Sequence, residues 1–368
     1  MSPEWQLTIR AIFFTMSEIT LPGLVDVHTH LRVPGGEHKE DFDSGTAAAI
    51  AGGITTVLAM PNTTPPLATA AVLQETRVIA ASTVRCQVGL FAGASPSQLD
   101  HLADCAPYAI GLKVYLNDTY GPLRVDDLSD LRRCFKEWPR DKLIAMHAEQ
   151  QSVAVGIALA QIYERPVHFC HISRRQEIEL IADAKMAGIP VTCEIAPHHL
   201  FLSKQDTARL GPLADMRPVL APPDDVASLW EHLADTVDCI ATDHAPHTLQ
   251  EKRGENPPPG VPGLETSLPL MLTAVHDNRL TMKQLTTLMA DNPRRIYSLK
   301  ETPQTWVVVD VDASHEFPEG GWQTKCDWSP FSGMPVRGKI RKVVFGGKTV
   351  YSDGHVLAAP GSGQLIPE

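Results

Sequence analysis

The sequence has no long hydrophobic run and few aromatic residues. Phe, Trp and Tyr make up 6% of the 368 residues, and the N-terminal apolar stretch, residues 11–14, is too short for a signal peptide or a membrane span. Blocks of Lys and Arg are also missing, and the net charge is −11. Binding to nucleic acid or to an anionic membrane is therefore not expected.

Cysteine is scarce and scattered: there are seven, an odd number, with no regular spacing. This pattern argues against a disulfide framework and favours a reducing, cytoplasmic location. The composition, 43% hydrophobic and 20% charged, is that of a globular protein. Residues 1–15 precede a second methionine, Met16, and are interpreted as a weakly folded extension.

Short apolar segments recur along the chain, and each is followed by a helix-like stretch. Strands that alternate with helices pair in parallel, and eight such units over roughly 250 residues predict an α/β fold of the (β/α)8 barrel type. The predicted strands lie in residues 23–31, 53–60, 86–94, 110–116, 143–149, 166–173, 190–199 and 238–247.

The pattern changes after about residue 300, where apolar and polar residues alternate and glycines mark turns. This predicts antiparallel strands in a small flanking sheet. We expect residues 1–20 to be an N-terminal extension that joins this small β domain, residues 21–300 to form the barrel, and residues 301–368 to complete the β domain. The proline-rich segment 255–266 follows the eighth strand and is predicted to be a loop at the catalytic rim.

Histidines, carboxylates and a cysteine recur in the predicted strands, and imidazoles or carboxylates lie at the C-terminal ends of strands one, five, six and eight. One H-x-H pair is a weak signal, and a single buried histidine is usually structural. In a barrel, however, these strand ends converge, and neutral imidazoles and carboxylates bind zinc and similar divalent ions. The residues concerned are His28, His30, His147, Cys170, His171, Glu194, His198, His199, Asp243 and His247.

Lys113 lies within the apolar segment "AIGLKVYLND". One interpretation is an edge-strand lysine whose ammonium reaches water. The other is a metal ligand: a buried lysine has an available neutral amine, which can add carbon dioxide to give a carbamate. A carbamate has two oxygens and could bridge two metal ions.

Several segments together resemble dihydroorotases, which are cyclic amidohydrolases. "DVHTHLR" and "TDHAPHTLQEK" resemble the two signatures of that family, and "GGEHKEDF", "AMPNTTPP", "GLKVYLNDTY", "VTCEIAPHHLFLS" and "NPPPGVPGLET" follow in family order. The resemblance covers roughly residues 19–360 and is strongest to the dihydroorotase domains of animal multifunctional pyrimidine-synthesis polypeptides.

The resemblance implies an amidohydrolase-type barrel and a zinc-dependent enzyme. The reaction would be the reversible cyclisation of N-carbamoyl-L-aspartate to L-dihydroorotate in pyrimidine (UMP) biosynthesis. The implied ligands are His28, His30 and Asp243 for one zinc, His147 and His171 for a second, carboxylated Lys113 between them, and Cys170, Glu194 and His28 for a third.

The resemblance also implies residues that contact substrate. Asp243 would transfer the proton. Arg32, Asn62 and His247 would hold the substrate carboxylate, and Arg217 and the backbone near Pro259 would surround the ring. Thr119 and Tyr120 would belong to a mobile loop, in which the family has Phe at the second position. His198 and His199 are expected to support the site rather than to bind metal.

Two alternatives stay open at this point. The chain could be a dihydropyrimidinase, hydantoinase or allantoinase on the same scaffold, although those substrates lack the ring carboxylate. It could also be a catalytically dead, structural relative, although such a relative should have lost metal ligands. A small-molecule substrate and, by analogy, a homodimer are expected. Other pyrimidine-pathway enzymes are further candidate partners, and the chain could be free-standing or part of a longer polypeptide.

Overall fold

Eight parallel strands form the body of the structure, a computed structural model that describes residues 17–118 and 121–367. Each strand pairs with the next in chain order, which confirms the predicted barrel. Most of residues 1–20 and the loop residues Thr119 and Tyr120 fall outside the described ranges. The barrel strands are β2 (Leu24–Thr29), β3 (Ile54–Ala59), β4 (Gln87–Gly93), β5 (Gly111–Tyr115), β6 (Leu143–His147), β7 (Val167–Phe169), β8 (Val191–Ile195) and β9 (Cys239–Ile240).

The last strand meets the first only at the C-terminal rim. The His30 amide donates to the His244 carbonyl over 2.7 Å, and Thr29 forms an isolated parallel bridge with His244. The barrel is therefore nearly closed, and its first and last strands are joined beside the histidines of β2.

The barrel strands are buried on both faces. Every residue of β2, β3, β4 and β5 is buried, including the apolar Val57 and Val114. Parallel strands covered by helices outside and by side chains inside need no polar face. This explains why the strands appear in the sequence as nearly continuous apolar runs.

Helices surround the barrel and begin near its C-terminal rim. Asp41 caps the first of them by accepting from the Ser44 amide at 2.8 Å. The helices are α1 (Phe42–Ala51), α2 (Ala70–Ala81), α3 (Leu128–Glu137), α4 (Gln151–Tyr163), α5 (Arg175–Met186), α6 (Pro197–Phe201), α7 (Thr207–Leu210), α8 (Pro223–Glu231), α9 (Leu249–Lys252), α10 (Ser267–His276), α11 (Met282–Thr286) and α12 (Asn292–Ile296). Helical segments of other types occupy Pro96–Tyr108, Lys204–Asp206, Gly211–Ala214 and Thr287–Asp291.

A second sheet of five antiparallel strands flanks the barrel, as predicted from the alternation after residue 300. Its order is β1-β10-β11-β12-β13, so an N-terminal strand completes a sheet built mainly from the C-terminal segment. These strands are β1 (Glu18–Pro22), β10 (Trp306–Glu316), β11 (Pro335–Phe345), β12 (Lys348–Ser352) and β13 (His355–Val356).

The final strand, β14 (Gln364–Ile366), leaves this sheet and pairs in parallel with the first half of β4. Arg77 of α2 donates to the carbonyls of Ile366 and Pro367 and fixes it there. The domain boundaries themselves remain predictions. Within the described ranges, no helix has the length and apolar character required to cross a bilayer.

Candidate active site

A pocket opens where the C-terminal ends of the barrel strands converge. Residues from β2, β5, β6 and the segments after β3, β7 and β9 contribute to it, together with the segment around residue 217 and the proline-rich loop. Its lining residues are His28, His30, Arg32, Asn62, Tyr115, His147, His171, Arg217, Asp243, Ala245, Pro259 and Gly260.

His28, His30 and Asp243 form the first cluster of possible metal ligands. The Nε2 atoms of the two histidines lie 3.2 and 3.1 Å from Oδ1 of Asp243, and all three side chains are buried. Alternation along β2 and its continuation turns both imidazoles to the barrel interior. The structure therefore brings these three residues together, and their role as metal ligands stays a prediction.

His147 and His171 form a second pair, with Nδ1 of His147 2.9 Å from Nε2 of His171. Nε2 of His147 lies 3.1 Å from Oε1 of Glu149. Since a carboxylate accepts, Nε2 of His147 carries the proton, and the lone pair on Nδ1 faces His171. Glu149 was not predicted, although its position two residues after His147 in "MHAEQQ" is a signal for an orienting carboxylate.

The protonation states favour a bound cation. Burial lowers the pKa of His30 to about 4, that of His147 below its ordinary value, and that of His171 further still. Burial also opposes ionisation of Asp243, but attraction to His28 and the contact with His30 outweigh it and hold that pKa well below its ordinary value. Neutral imidazoles and an ionised carboxylate at one point are the donor set that a divalent metal ion requires.

The backbone is irregular where the strands end. Arg32, His171 and Asp243 have φ values of 60°, 36° and 46°, in the left-handed region that non-glycine residues rarely occupy. Strands β7 and β9 consequently end at Phe169 and Ile240, earlier than the segments 166–173 and 238–247 predicted from the sequence. Such strained positions are common in active sites.

Lys113 lies in the middle of β5, which pairs with β4 on one side and β6 on the other. Its side chain is 0% exposed, so the interpretation as an edge-strand lysine that reaches water is wrong. Nζ lies 2.7 Å from Sγ of Cys170 and 5.1 Å from the centre of the Tyr115 ring. The lysine therefore sits inside the barrel, next to a residue of the predicted third metal site.

Cys170, Glu194 and His28 place their ligand atoms within 4.8 Å of one another, all buried. In a regular strand Cys170 and His171 would face opposite ways, but both follow the end of β7 and the positive φ of His171 breaks the alternation. Nδ1 of His28 lies 2.5 Å from Glu194, whose other oxygen lies 3.1 Å from Nε2 of His168.

In the cluster of Cys170, Glu194 and His28, the carboxylate and the thiol differ in their tendency to ionise. Burial disfavours the charged form of Glu194, but attraction to His28 and the contact with His168 hold its pKa below the ordinary range. Burial raises the pKa of the Cys170 thiol. A thiolate at Cys170 therefore requires a cation beside it.

A cationic group borders the pocket opposite the carboxylates. Nη2 of Arg32 lies 3.0 Å from Nε2 of His247, and Nζ of Lys39 lies 3.1 Å from Nδ1 of the same ring. Burial and the charges of Arg32 and Lys39 lower the pKa of His247, so its ring is neutral. Lys39 was not predicted, although it lies in the quoted segment "GGEHKEDF".

The remaining predicted residues occupy the rim. Oδ1 of Asn62 accepts from Nδ1 of His30 at 2.7 Å, and the Pro259 carbonyl accepts from Nε2 of His247 at 3.0 Å. Arg217 lines the pocket while its guanidinium binds Asp215 at 2.5 Å. The structure brings all predicted site residues in its described ranges to one pocket or its immediate surroundings.

His198 and His199 are buried on α6 beside the pocket, with ring centres 4.4 Å apart. Burial lowers the pKa of His198 to about 4 and that of His199 well below its ordinary value. Neither belongs to a group of converging ligand atoms within the described residues. The expectation that they support the site rather than bind metal stays a prediction.

Residues 19–108 match the family model of the amidohydrolase family. The chain is 49% identical over 349 residues to "Multifunctional protein CAD" of Squalus acanthias and 45% identical over 347 residues to "Multifunctional protein pyr1-3" of Dictyostelium discoideum. These alignments cover 95% and 94% of the chain, but the chain spans only 16% of each relative. It is 32% identical over 381 residues to "Dihydroorotase" of Methanothermobacter thermautotrophicus, covering 94% of this chain and 87% of that protein.

Two solved structures show the same fold. An L-hydantoinase from Arthrobacter aurescens matches 95% of this chain and 88% of its own with a TM-score of 0.89, at 24% identity, which supports the fold alone. An inactive dihydroorotase-like domain of a Chaetomium thermophilum CAD-like multifunctional protein matches 95% of this chain and 99% of its own with a TM-score of 0.82, at 26% identity.

Proposed function

The chain belongs to the dihydroorotase family, and from this premise we propose that it catalyses the reversible, zinc-dependent cyclisation of N-carbamoyl-L-aspartate to L-dihydroorotate in pyrimidine biosynthesis. The observation that carries the proposal is the position of Arg32, 3.0 Å from His247, at the edge of a pocket whose centre holds the clustered metal donors. A hydrolytic metal centre beside a guanidinium suits a cyclic amide that carries a carboxylate.

We assign His28, His30 and Asp243 to one zinc ion, and His147 and His171 to a second. Lys113, as a carbamate, would bridge the two: its uncharged amine forms a bond to the carbon of carbon dioxide and loses one proton. The zinc ions, when bound, supply Lewis acidity that polarises the amide carbonyl and makes water nucleophilic at neutral pH. A third zinc would be held by Cys170, Glu194 and Nδ1 of His28, whose ligand atoms converge.

The chain's own residues position the substrate. Arg32 would hold the substrate carboxylate with His247, whose ring is fixed by Lys39 and by the Pro259 carbonyl. Asn62 would contribute amide hydrogens, because its oxygen already accepts from His30. Arg217 and the backbone at Pro259 would border the ring.

Asp243 would transfer the proton. During ring closure its carboxylate accepts the proton of the attacking ureido nitrogen, and in the opposite direction it returns that proton to the leaving nitrogen. Its Oδ1 lies 3.2 and 3.1 Å from Nε2 of His28 and of His30, so the carboxylate faces both imidazoles at the centre of the pocket. The left-handed backbone of Asp243 directs the side chain inward from the end of β9.

Neither alternative function is better supported. Hydantoinase and dihydropyrimidinase substrates have no ring carboxylate, so they give Arg32 no charged partner. A dead structural relative would not need a complete set of buried donors. Homodimerisation and association with other pyrimidine enzymes are further proposals, in line with the multifunctional names of two relatives. Seven buried cysteines without disulfides support a cytoplasmic location.

Cyclisation of carbamoyl-aspartate, assayed beside hydrolysis of dihydrouracil and of hydantoin, tests the proposal. We expect the zinc-loaded protein to cyclise carbamoyl-aspartate and to lose this activity when the metal is removed. Arg32→Met should abolish activity on carbamoyl-aspartate. Preferred hydrolysis of the two uncharged rings would favour the hydantoinase alternative, and bound zinc without any of the three activities would favour the dead relative.

A further inference from the structure

We propose that Lys252 is a positioning residue of this reaction: its buried amine joins the two loop segments that form the substrate-ring side of the pocket. The inference rests on the proposed function and extends it to a residue that has no role there. Lys252 is the last residue of the motif "TDHAPHTLQEK", in which Asp243 and His247 have roles and Lys252 has none.

Lys252 ends the short helix α9, and its side chain is 0% exposed. Nζ donates to the carbonyl of Asp215 at 2.8 Å and to the carbonyl of Pro258 at 3.0 Å. In residues 17–118 and 121–367 it forms no ion pair within 4 Å, so its direct partners are backbone oxygens. The lysine therefore connects two chain segments that neither a strand nor a helix holds together.

Burying an amine without a carboxylate partner is unfavourable, and burial lowers the pKa of Lys252 to about 8. An apolar residue would avoid that cost but would remove one donor from the Asp215 carbonyl and the donor that Lys252 supplies to the Pro258 carbonyl. The amide of Gly260 donates to the same Asp215 carbonyl at 2.9 Å, so three groups meet at one point. This arrangement is explained if the reaction requires the segment around Asp215 to lie at a fixed position relative to the proline-rich loop.

Both segments reach the pocket directly beyond these contacts. Arg217 follows Asp215 by two residues, and Pro259 and Gly260 follow Pro258; all three line the pocket. The Pro259 carbonyl also accepts from His247. Lys252 thus sets the distance between the Arg217 segment and the proline-rich loop, without contacting substrate itself.

A second contact fixes the lysine relative to His247. Nζ lies 5.9 Å from the centre of the Trp328 ring, and Nε1 of Trp328 donates to the His247 carbonyl at 2.7 Å. The aromatic ring contributes cation–π attraction to the charged form. The proline-rich loop is consequently held at two places. One is the group formed by Lys252, Trp328 and His247, and the other is the Asp215 carbonyl.

This position predicts an effect on substrate binding rather than on bond making. The groups that Lys252 positions border the ring and make no contact with the reacting carbonyl in the proposed arrangement. Loss of such a contact weakens ground-state and transition-state binding equally, which raises KM and leaves kcat nearly unchanged. If Lys252 contributed to stability alone, its replacement would lower the melting temperature and leave KM unaltered.

The test compares Lys252→Met with a matched variant, Lys142→Met, in the zinc-loaded full chain. Lys142 also donates to a backbone carbonyl, that of Ala109 at 2.7 Å, but it lies at the start of β6, at the opposite end of the barrel strand from His147. We expect KM for carbamoyl-aspartate to rise about tenfold or more in Lys252→Met, with kcat within about threefold. Zinc content should be unchanged, and Lys142→Met should keep the wild-type KM.

A wild-type KM in folded, zinc-loaded Lys252→Met would overturn the inference, and so would an equal rise in Lys142→Met. If Lys252→Met does not fold, Lys252→Gln, a shorter neutral donor, replaces it: a raised KM with normal kcat supports the inference, and an unchanged KM overturns it. If wild-type protein does not cyclise carbamoyl-aspartate at all, the proposed function fails instead.

Discussion

The side-chain oxygen of Asn62 lies 2.7 Å from Nδ1 of His30. Because that oxygen only accepts, Nδ1 carries the proton, and the lone pair of Nε2 faces Asp243 at 3.1 Å. Two lone pairs at that distance repel each other unless a cation lies between them. Asn62 therefore sets the tautomer in which His30 can bind metal.

Asn62→Ala is expected to lower metal affinity before any substrate is present. Loss of the group that orients a ligating histidine typically costs about 10- to 100-fold in metal affinity. Competition between the protein and a chelator, without substrate, measures this. Thr63→Ala is the control, since Thr63 bonds only to backbone within its own segment. Overlapping chelation curves for wild type and Asn62→Ala would contradict the assignment.

Reconstitution of the metal-free protein is expected to depend on bicarbonate. If Lys113 binds metal as a carbamate, zinc added in buffer free of carbon dioxide should restore little activity, and added bicarbonate should restore the rest. Lys113→Met, which cannot form a carbamate, should lose nearly all activity and show no response. Full recovery of the wild type without carbon dioxide would show that the plain amine is sufficient.

The third metal site predicts a change in zinc count. Extensively dialysed wild-type protein should contain three zinc ions, and Cys170→Ala and Glu194→Ala should each contain two. Cys193→Ala is the matched control, because the Cys193 thiol is buried on β8 and contacts the Thr236 carbonyl instead. The same zinc count in wild type and in both site variants would leave the contacts of Glu194 with His28 and His168 as its only role.

Glu265 should make the protein less stable as pH rises. Burial raises its pKa from 4.5 to about 7, although the amides of Thr324 and Gln323 bond to it. Between these two pH values the folded state holds a proton that the unfolded state has lost, so the free energy of unfolding falls, by up to about 3 kcal/mol from this group.

Urea unfolding across this pH window measures the effect. Glu265→Gln should remove that part of the slope and be more stable than wild type above about pH 7. Glu75→Gln, on the exposed face of α2, should leave the slope unchanged. Parallel pH profiles for wild type and Glu265→Gln would contradict the prediction.

The barrel could be predicted from the sequence because buried parallel strands are apolar on both faces. Eight such runs separated by helices leave few other folds. The ends of the strands were less predictable: β7 and β9 stop early because the residues after them turn inward with left-handed backbone. Hydrophobicity carries no information about that turn.

The convergence of histidines and carboxylates at the pocket could be predicted from their positions at strand ends and from the family resemblance. Lys39 and Lys252 could not, because their roles depend on contacts between segments distant in sequence. Glu149 is different, since it lies two residues from His147 and that spacing is visible in the sequence. Lys39, for example, meets a ring 208 positions away, His247. A charged residue in a loop is usually exposed, and only the fold shows that Lys39 and Lys252 are buried.

The left-handed backbone of Arg32, His171 and Asp243 has a consequence for the evolution of this chain. Each such residue costs on the order of 1 kcal/mol that glycine would not cost, because glycine adopts positive φ without strain. Selection for stability alone would therefore favour glycine at the three positions whose side chains face the pocket. If activity is no longer under selection, replacement of these three residues by glycine can raise thermostability while the barrel around them stays intact.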